Sequence, residues 1–337
     1  DDLYKVLKAF KEKDPNKNGE ADEIPWATDA KTLIWSFGVG SRGGDNLTDF
    51  FVEDGAIKYG PTDPRFKTAL QYLNKLYSEK LINDIYGQGG ATLTTSVTQD
   101  MVGAGFGSHA GYLTSFNKIF TDAGKKPVYK ALIPPMGPTG ERNILGRHVE
   151  TDPHSGGAIT TACKNTQAAA RLFDYFYSDE GRLLLYFGVE GEDGTFVMKD
   201  GKPVYTDKVA KHPTLSVLNY LNTYVSFVSA WPSFLMDELQ LSLYKEEGVE
   251  AIRIAAKYRG NKKIPNLQFT REELEDIRKY SSELNAYVDE NIHRFVHGEK
   301  SFDEYDNFVK GFDALGINRM LEIYNAAYKR YLDILKK

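Results

Sequence analysis

Ten residues near the start of the chain, Asp14-Pro15-Asn16-Lys17-Asn18-Gly19-Glu20-Ala21-Asp22-Glu23, restrict its fold more than any other stretch. Side-chain oxygens recur at alternating positions (Asp14, Asn16, Asn18), and a glycine and a pair of carboxylates follow. Hard cations such as Ca²⁺ take about six to eight oxygen ligands, and a D-x-N-x-N-G run wraps oxygens around one point while its glycine makes the sharp turn. Counted from Asp14 as in an EF-hand loop, the seventh residue, Glu20, offers a backbone carbonyl. The twelfth, Pro25, cannot supply the bidentate side chain that such a loop needs. The acidic residues come early instead, at Asp22 and Glu23, and no second helix is signalled directly after them. The loop opens like a calcium loop and closes differently. The alternative is a solvated turn, since Asn, Asp and Gly favour turns in any case. So close to a chain end, a metal here is expected to stiffen the fold rather than switch it.

The 337 residues leave room for two domains of about 100–200 residues each. A formal charge of −5 with 26% charged residues provides no basic field for nucleic acid. No apolar run approaches the ~20 residues of a membrane span, and no secretory signal is present. The single cysteine, Cys163, rules out an intramolecular disulfide. Aromatic residues make up 13% of the chain, which suits packed helices and also a site that stacks flat ligands or sugar rings.

Taken in order, residues 2–12 predict a short amphipathic helix, and Thr32–Phe37 a buried segment. Asp54-Gly55 and Asp200-Gly201, each between apolar pieces, predict tight hairpins. Asp63-Pro64 supplies an N-cap and first helical residue for a helix carrying Phe66, Leu70, Leu73 and Tyr77. Strands are expected within 101–107, over 129–133 and over 156–160. Helices are expected from about 111 to 123, from 165 (with Ala168, Leu172, Phe173 and Phe176 inward) and from 178 to 187. The glycines and prolines of 134–140 read as a crossing between domains. From about 214 onward the pattern is helical, with capping boxes at Thr270/Glu273 and Ser301/Glu304. Strands alternating with helices through the first two-thirds argue an α/β architecture with helices flanking open sheets.

The chain offers little for catalysis. His293 and His297 are four apart on a predicted helix, but Arg294 stands where a zincin needs glutamate, so a structural or surface pair is expected. Gly103-x-Gly105-x-Gly107 has the wrong spacing for a dinucleotide loop, and no Walker lysine or G-x-S-x-G occurs. Glu190, Glu192 and Asp193 cluster in a glycine-rich loop, leaving a carboxylate-based glycosidase or lyase as the rival reading.

With the chain laid out, five blocks carry a resemblance: DPNKNGEADEIP (14–25), FKTALQYLNKLYSEKLIND (66–84), LIPPMGPTGER (132–142), GGAITTACKNTQAAARLFDYFYSDEGRLLLYFGVEGED (156–193), and the tail from FTREELEDI to NAAYKRYLDIL. In this order they resemble bacterial extracellular solute-binding proteins of the ABC importer type. The nearest group is the oligosaccharide-binding lipoproteins of Firmicutes related to alginate-oligosaccharide binders. The resemblance implies an α/β, two-lobe periplasmic-binding-protein-like fold with a helical C-terminal portion, lacking the first strands of lobe one. It implies a second lobe over 1–131, a hinge crossing at 132–142, the rest of the first lobe over 143–230 and a helical return to the second lobe over 231–337. It implies a structural Ca²⁺ held by Asp14, Asn16, Asn18, the carbonyl of Glu20, Asp22 and Glu23.

Under that resemblance the ligand lies between the lobes. Trp231, proline-flanked where the chain is expected to cross the cleft, is a stacking candidate. Phe106, His109 and Tyr112 follow a glycine-rich strand end, where ligands of open α/β sheets gather. Trp35 and Phe37 precede a glycine-rich loop, and Glu190 falls in a block that recurs in the family. Arg147, His148 and Glu150 are weaker candidates. The implied function is capture of an oligosaccharide and its delivery to ABC permease subunits without chemistry. The protein is expected to be an extracellular, cell-surface (or periplasmic) monomer, anchored by a lipid that these residues do not carry. A sensor module of a signalling system is the second alternative.

Overall fold

The computed structural model describes residues 1–44, 48–107, 109–143, 158–213, 217–224, 246–258 and 262–336; for residues 109–112, 218, 219 and 224 only the backbone is described. The chain divides into two compact units, Asp1–His148 with Ala251–Lys337, and Val149–Glu250.

In the first unit, helix α1 (Asp2–Glu12) buries Leu7 and leads into the 14–23 loop. Strand β1 (Ile24–Trp26) follows and pairs in parallel with β4 (Val102–Ala104), Ile24 opposite Val102 and Trp26 opposite Ala104. The close backbone approach expected at the glycine run occurs at Gly103, where a Cβ would stand 2.9 Å from the Pro25 carbonyl oxygen. Between these strands come hairpin β2 (Phe50–Glu53) and β3 (Ala56–Tyr59), turned by Asp54 (φ 53°) and Gly55 (φ 74°) as the primed turn requires. Asp63 caps α2 (Pro64–Ser78), its carboxylate accepting from the Arg65 N–H. The segment Ala30–Phe37 is a buried 3₁₀ helix capped by Asp29.

Helix α3 (Gly90–Thr98) is not signalled by its sequence, because four of its nine residues are threonine. The threonine hydroxyls of Thr94, Thr95 and Thr98 turn back onto the Gly90, Ala91 and Thr94 carbonyls, so a helix-poor sequence satisfies its polar groups inside the helix. With α4 (His109–Asp122) it encloses a small core of Ile24, Ala27, Leu93, Val97 and Phe120.

Residues 129–133 form no strand, contrary to expectation. The buried Asn117 side chain takes the place of a neighbouring strand. Its Oδ1 accepts from the Val128 and Tyr129 N–H groups (3.2 and 2.9 Å) and its Nδ2 donates to the Tyr129 carbonyl (2.9 Å). The expected strand at 156–160 lies partly outside the described residues, and 158–160 are irregular. Residues 132–142 are also irregular; the Arg142 guanidinium donates to the Pro134 carbonyl, and Glu141 pairs with Lys262 at 3.1 Å.

The second unit holds α5 (Thr166–Tyr177), α6 (Asp179–Tyr186), the hairpin β5 (Phe196–Lys199)–β6 (Lys202–Tyr205), α7 (Asp207–Ala210) and α8 (Val217–Tyr224). Its core joins Tyr186, Phe187, Phe196, Tyr205, Val209 and Leu221. Helix α5 departs from expectation, since Ala168 and Leu172 are exposed and no residue of the helix is fully buried.

After α9 (Glu246–Tyr258), the tail returns to the first unit as α10 (Arg271–Val296), α11 (Tyr305–Ala314) and α12 (Ile317–Leu335). Both capping boxes form. The aromatic stripes are core: Phe295, Tyr305, Phe308 and Phe312 are buried and meet in tilted and edge-to-face pairs 4.9–5.6 Å apart. Among the described residues the sheets are three two-stranded ones rather than larger open sheets, so the α/β architecture is helix-rich.

Candidate functional site

The 14–23 loop is wound by Asp14 (φ 42°), Lys17 (φ 60°) and Gly19 (φ 81°), which take left-handed conformations. The Asp14 carboxylate accepts from the Asn18 and Gly19 N–H groups at 3.1 and 3.0 Å. Asn16 Oδ1 accepts from Asn18 N–H, and Asn18 Oδ1 from Glu20 N–H. Outside the loop, Asn16 Nδ2 donates to the Asp100 carbonyl just before β4, tying the loop to the strand pair.

Two carboxylate oxygens, Asp22 Oδ1 and Glu23 Oε1, are buried without a hydrogen-bond partner. Unpaired buried carboxylate oxygen is costly, and a cation in the loop would satisfy both, so the donor set fits Ca²⁺. Between its carboxylates the loop offers the amide oxygens of Asn16 and Asn18 and the Glu20 carbonyl as further oxygen donors.

The residues expected to touch ligand are placed unevenly. Trp35 is corrected to a core residue: it is 1% exposed, its Nε1 donates to the Ser41 carbonyl at 2.9 Å, and its ring meets Phe106 edge-on at 5.1 Å. Phe106 is half-buried, and its N–H donates to Thr28 Oγ1 at 2.6 Å. Phe37 is half-buried against Tyr72 at 5.9 Å. Glu190 is exposed and bridges to Phe196 through the backbone, and Glu192 and Asp193 are exposed beside it. His109 and Tyr112 fall on the first turn of α4, but their side chains lie outside the described residues. Trp231, Arg147, His148 and Glu150 also lie outside the described residues.

Two polar atoms that the sequence reading missed lie where β1 gives way to coil. Trp26 Nε1 and Gln88 Oε1 are buried and have no hydrogen-bond partner, while the Gln88 N–H donates to the Ala27 carbonyl at 2.7 Å. β1 is three residues long and contains Pro25, too short for an alternation to announce it.

Charge in this unit is organised in two clusters. Arg42 holds the buried Asp49 through Nε at 2.8 Å and reaches Asp289 at 3.0 Å. Glu53 accepts from Arg65 at 2.9 and 2.7 Å, from Lys58 at 2.9 Å and from Lys262 at 3.0 Å. The Arg65 hydrogen bonds, aided by both lysines and opposed by burial, hold the Glu53 carboxyl well below the usual carboxylate range.

A fold built of these units has known counterparts. The chain belongs to the bacterial extracellular solute-binding protein family, whose pattern matches residues 1–183. That membership places it among binding proteins and not among enzymes. It is 24% identical over 358 residues to the fructooligosaccharide ABC transporter substrate-binding protein FusA of Streptococcus pneumoniae serotype 4, across 98% of this chain and 62% of FusA. It is 30% identical over 226 residues to lipoprotein LipO of Bacillus subtilis (strain 168), across 60% of this chain and 41% of LipO. Among solved structures, the alginate-binding protein AlgQ2, determined without calcium ion, superimposes with a TM-score of 0.71 at 24% identity, covering 97% of this chain and 67% of AlgQ2. The fold is therefore periplasmic-binding-protein-like. The chain spans less than two-thirds of the length of FusA and LipO.

Proposed function

We propose that this chain is the capturing part of an extracellular receptor that binds an oligosaccharide and delivers it to an ABC permease. Membership of the solute-binding family over residues 1–183 carries this reading. The names of FusA and AlgQ2 supply the ligand class. Phe37, Phe106, His109, Tyr112, Trp231 and Glu190 are the proposed contacts. To these we add Trp26 and Gln88, whose buried unpartnered atoms a sugar hydroxyl would satisfy. Trp35 then acts behind Phe106, fixing the ring's tilt. The segment 132–142 serves as a crossing between lobes, and ligand favours the closed arrangement because only that one contacts it from both sides. We further propose that the receptor acts as a monomer held at the cell surface by a lipid anchor, a reading that the name of lipoprotein LipO supports.

Asp14, Asn16, Asn18, the Glu20 carbonyl, Asp22 and Glu23 would hold Ca²⁺, which supplies positive charge to gather their oxygens. A FusA structure is described as an EF-hand mutant and AlgQ2 as solved without calcium, which supports a calcium loop in relatives. Isothermal titration of the purified protein against fructo-, alginate- and human-milk-type oligosaccharides, followed by chromatography of the sugar, tests the reading. Saturable binding with the sugar recovered intact is expected; cleavage of the sugar would replace the receptor by an enzyme.

A further inference from the structure

Helix α10 ends in a cluster that sugar capture and the 14–23 loop leave unused. His293 and His297 stand four residues apart and share one face of the last turn. Their ring centroids are 3.8 Å apart. The chain then reverses through Gly298, whose φ of 77° only glycine adopts freely, and the Glu299 N–H donates to the Arg294 carbonyl at 2.9 Å. This closure brings the Glu299 carboxylate beside both imidazoles, so that one ligand atom from each of the three residues lies within 4.8 Å of the others. His297 Nε2 is buried and has no hydrogen-bond partner.

The surroundings hold this geometry in place. The His297 ring stacks on Tyr77 with centroids 4.1 Å apart and planes 7° from parallel. Asn74 Nδ2 donates to the Phe295 and Val296 carbonyls at 3.3 and 3.0 Å, pinning the end of the helix to α2. The neighbouring cations are directed elsewhere: Arg294 toward Glu290 at 3.6 Å, and Lys300 onto Asn291 Oδ1 at 2.8 Å. A helix C-terminus also favours positive charge.

We infer that His293, His297 and Glu299 form a second metal site, for a borderline divalent transition-metal ion, with Zn²⁺ preferred. Two imidazole nitrogens and a carboxylate oxygen, completed by water, are zinc ligands, whereas Ca²⁺ takes an all-oxygen set. Tetrahedral bonds of about 2.1 Å place ligand atoms about 3.4 Å apart. The contraction needed is within reach of the exposed Glu299 side chain, with the His297 imidazole held by Tyr77. The ion would fasten α10 to the turn that launches α11.

The test uses the full chain, stripped with chelator and returned to excess Ca²⁺, with Zn²⁺ titrated by calorimetry and Co²⁺ by visible absorption. One Zn²⁺ per chain is expected, with the Co²⁺ bands of a low-coordinate site and a raised Tm. H293Q and H297Q should each weaken Zn²⁺ binding by at least about tenfold, and E299Q should alter the Co²⁺ spectrum. Should H297Q lose its fold with Tyr77's stacking partner, the more peripheral H293Q and E299Q variants decide the matter. Failure of the wild-type chain to bind Zn²⁺ overturns the inference. Unchanged affinity in the H293Q/H297Q double variant does the same, by placing the ion elsewhere.

Discussion

At the scale of single residues, two carboxylates control separate properties. Asp22 carries one of the unpartnered buried oxygens in the 14–23 loop and accepts from Asn18 Nδ2 at 3.1 Å through the other. If calcium is what satisfies it, chelation with EGTA lowers the wild-type Tm and added Ca²⁺ restores it. D22N should lose most of that difference; a chelator-insensitive wild type counts against the loop as a metal site. Glu53 behaves differently because its partners are already in place. Its pKa is lower folded than unfolded, so its stabilisation is present above about 4.5 and fades as pH falls below that toward the folded value. E53Q, which leaves Arg65 and Lys262 under-partnered, should cost about 1–3 kcal/mol at neutral pH. The gap between wild type and variant in urea melts should shrink as the pH is lowered toward 3; a pH-independent gap would assign Glu53 a packing role only.

At the scale of elements, the legible parts of the chain are those whose signals are local. The hairpins at Asp54-Gly55 and Asp200-Gly201, the Asp63 cap and the two capping boxes each follow from a few adjacent residues. What failed depends on partners distant in sequence or on chemistry that propensity undervalues. Residues 129–133 have the apolar composition of a strand, yet at Val128 and Tyr129 a single side chain, Asn117, takes hydrogen bonds a neighbouring strand would have made. Helix α3 forms despite threonines that count against it, and their hydroxyls find partners on its own carbonyls. Trp35 has the composition of a sugar platform, and only the fold reveals that its indole N–H is already spent on Ser41. The 14–23 loop was legible as a candidate metal site because its oxygen-bearing side chains are nearly consecutive; Trp26 and Gln88 were not, because what marks them is a missing partner. Asn117→Val should cost about 2–3 kcal/mol by orphaning two N–H groups and a carbonyl, read as a fall in the urea midpoint. Phe308→Ala, which opens the aromatic layer between α10 and α11, should cost about 3–5 kcal/mol.

At the scale of the whole molecule, the chain's three tryptophans divide between the two units: Trp26 and Trp35 belong to the first and Trp231 falls within the span of the second. The 14–23 loop lies wholly in the first, anchored to the β1–β4 pair through Asn16 and the Asp100 carbonyl. The two cores of the first unit share no residue with that of the second, so an ion that binds only the folded loop should stabilise the first unit directly. In a W231F variant, fluorescence reports the first unit alone, and its unfolding midpoint should fall on chelation. In a W26F/W35F variant the remaining signal comes from the second unit, and its midpoint should move little. Equal shifts in both variants would mean that the units unfold as one cooperative body, with calcium stabilising the whole chain rather than the unit that holds it.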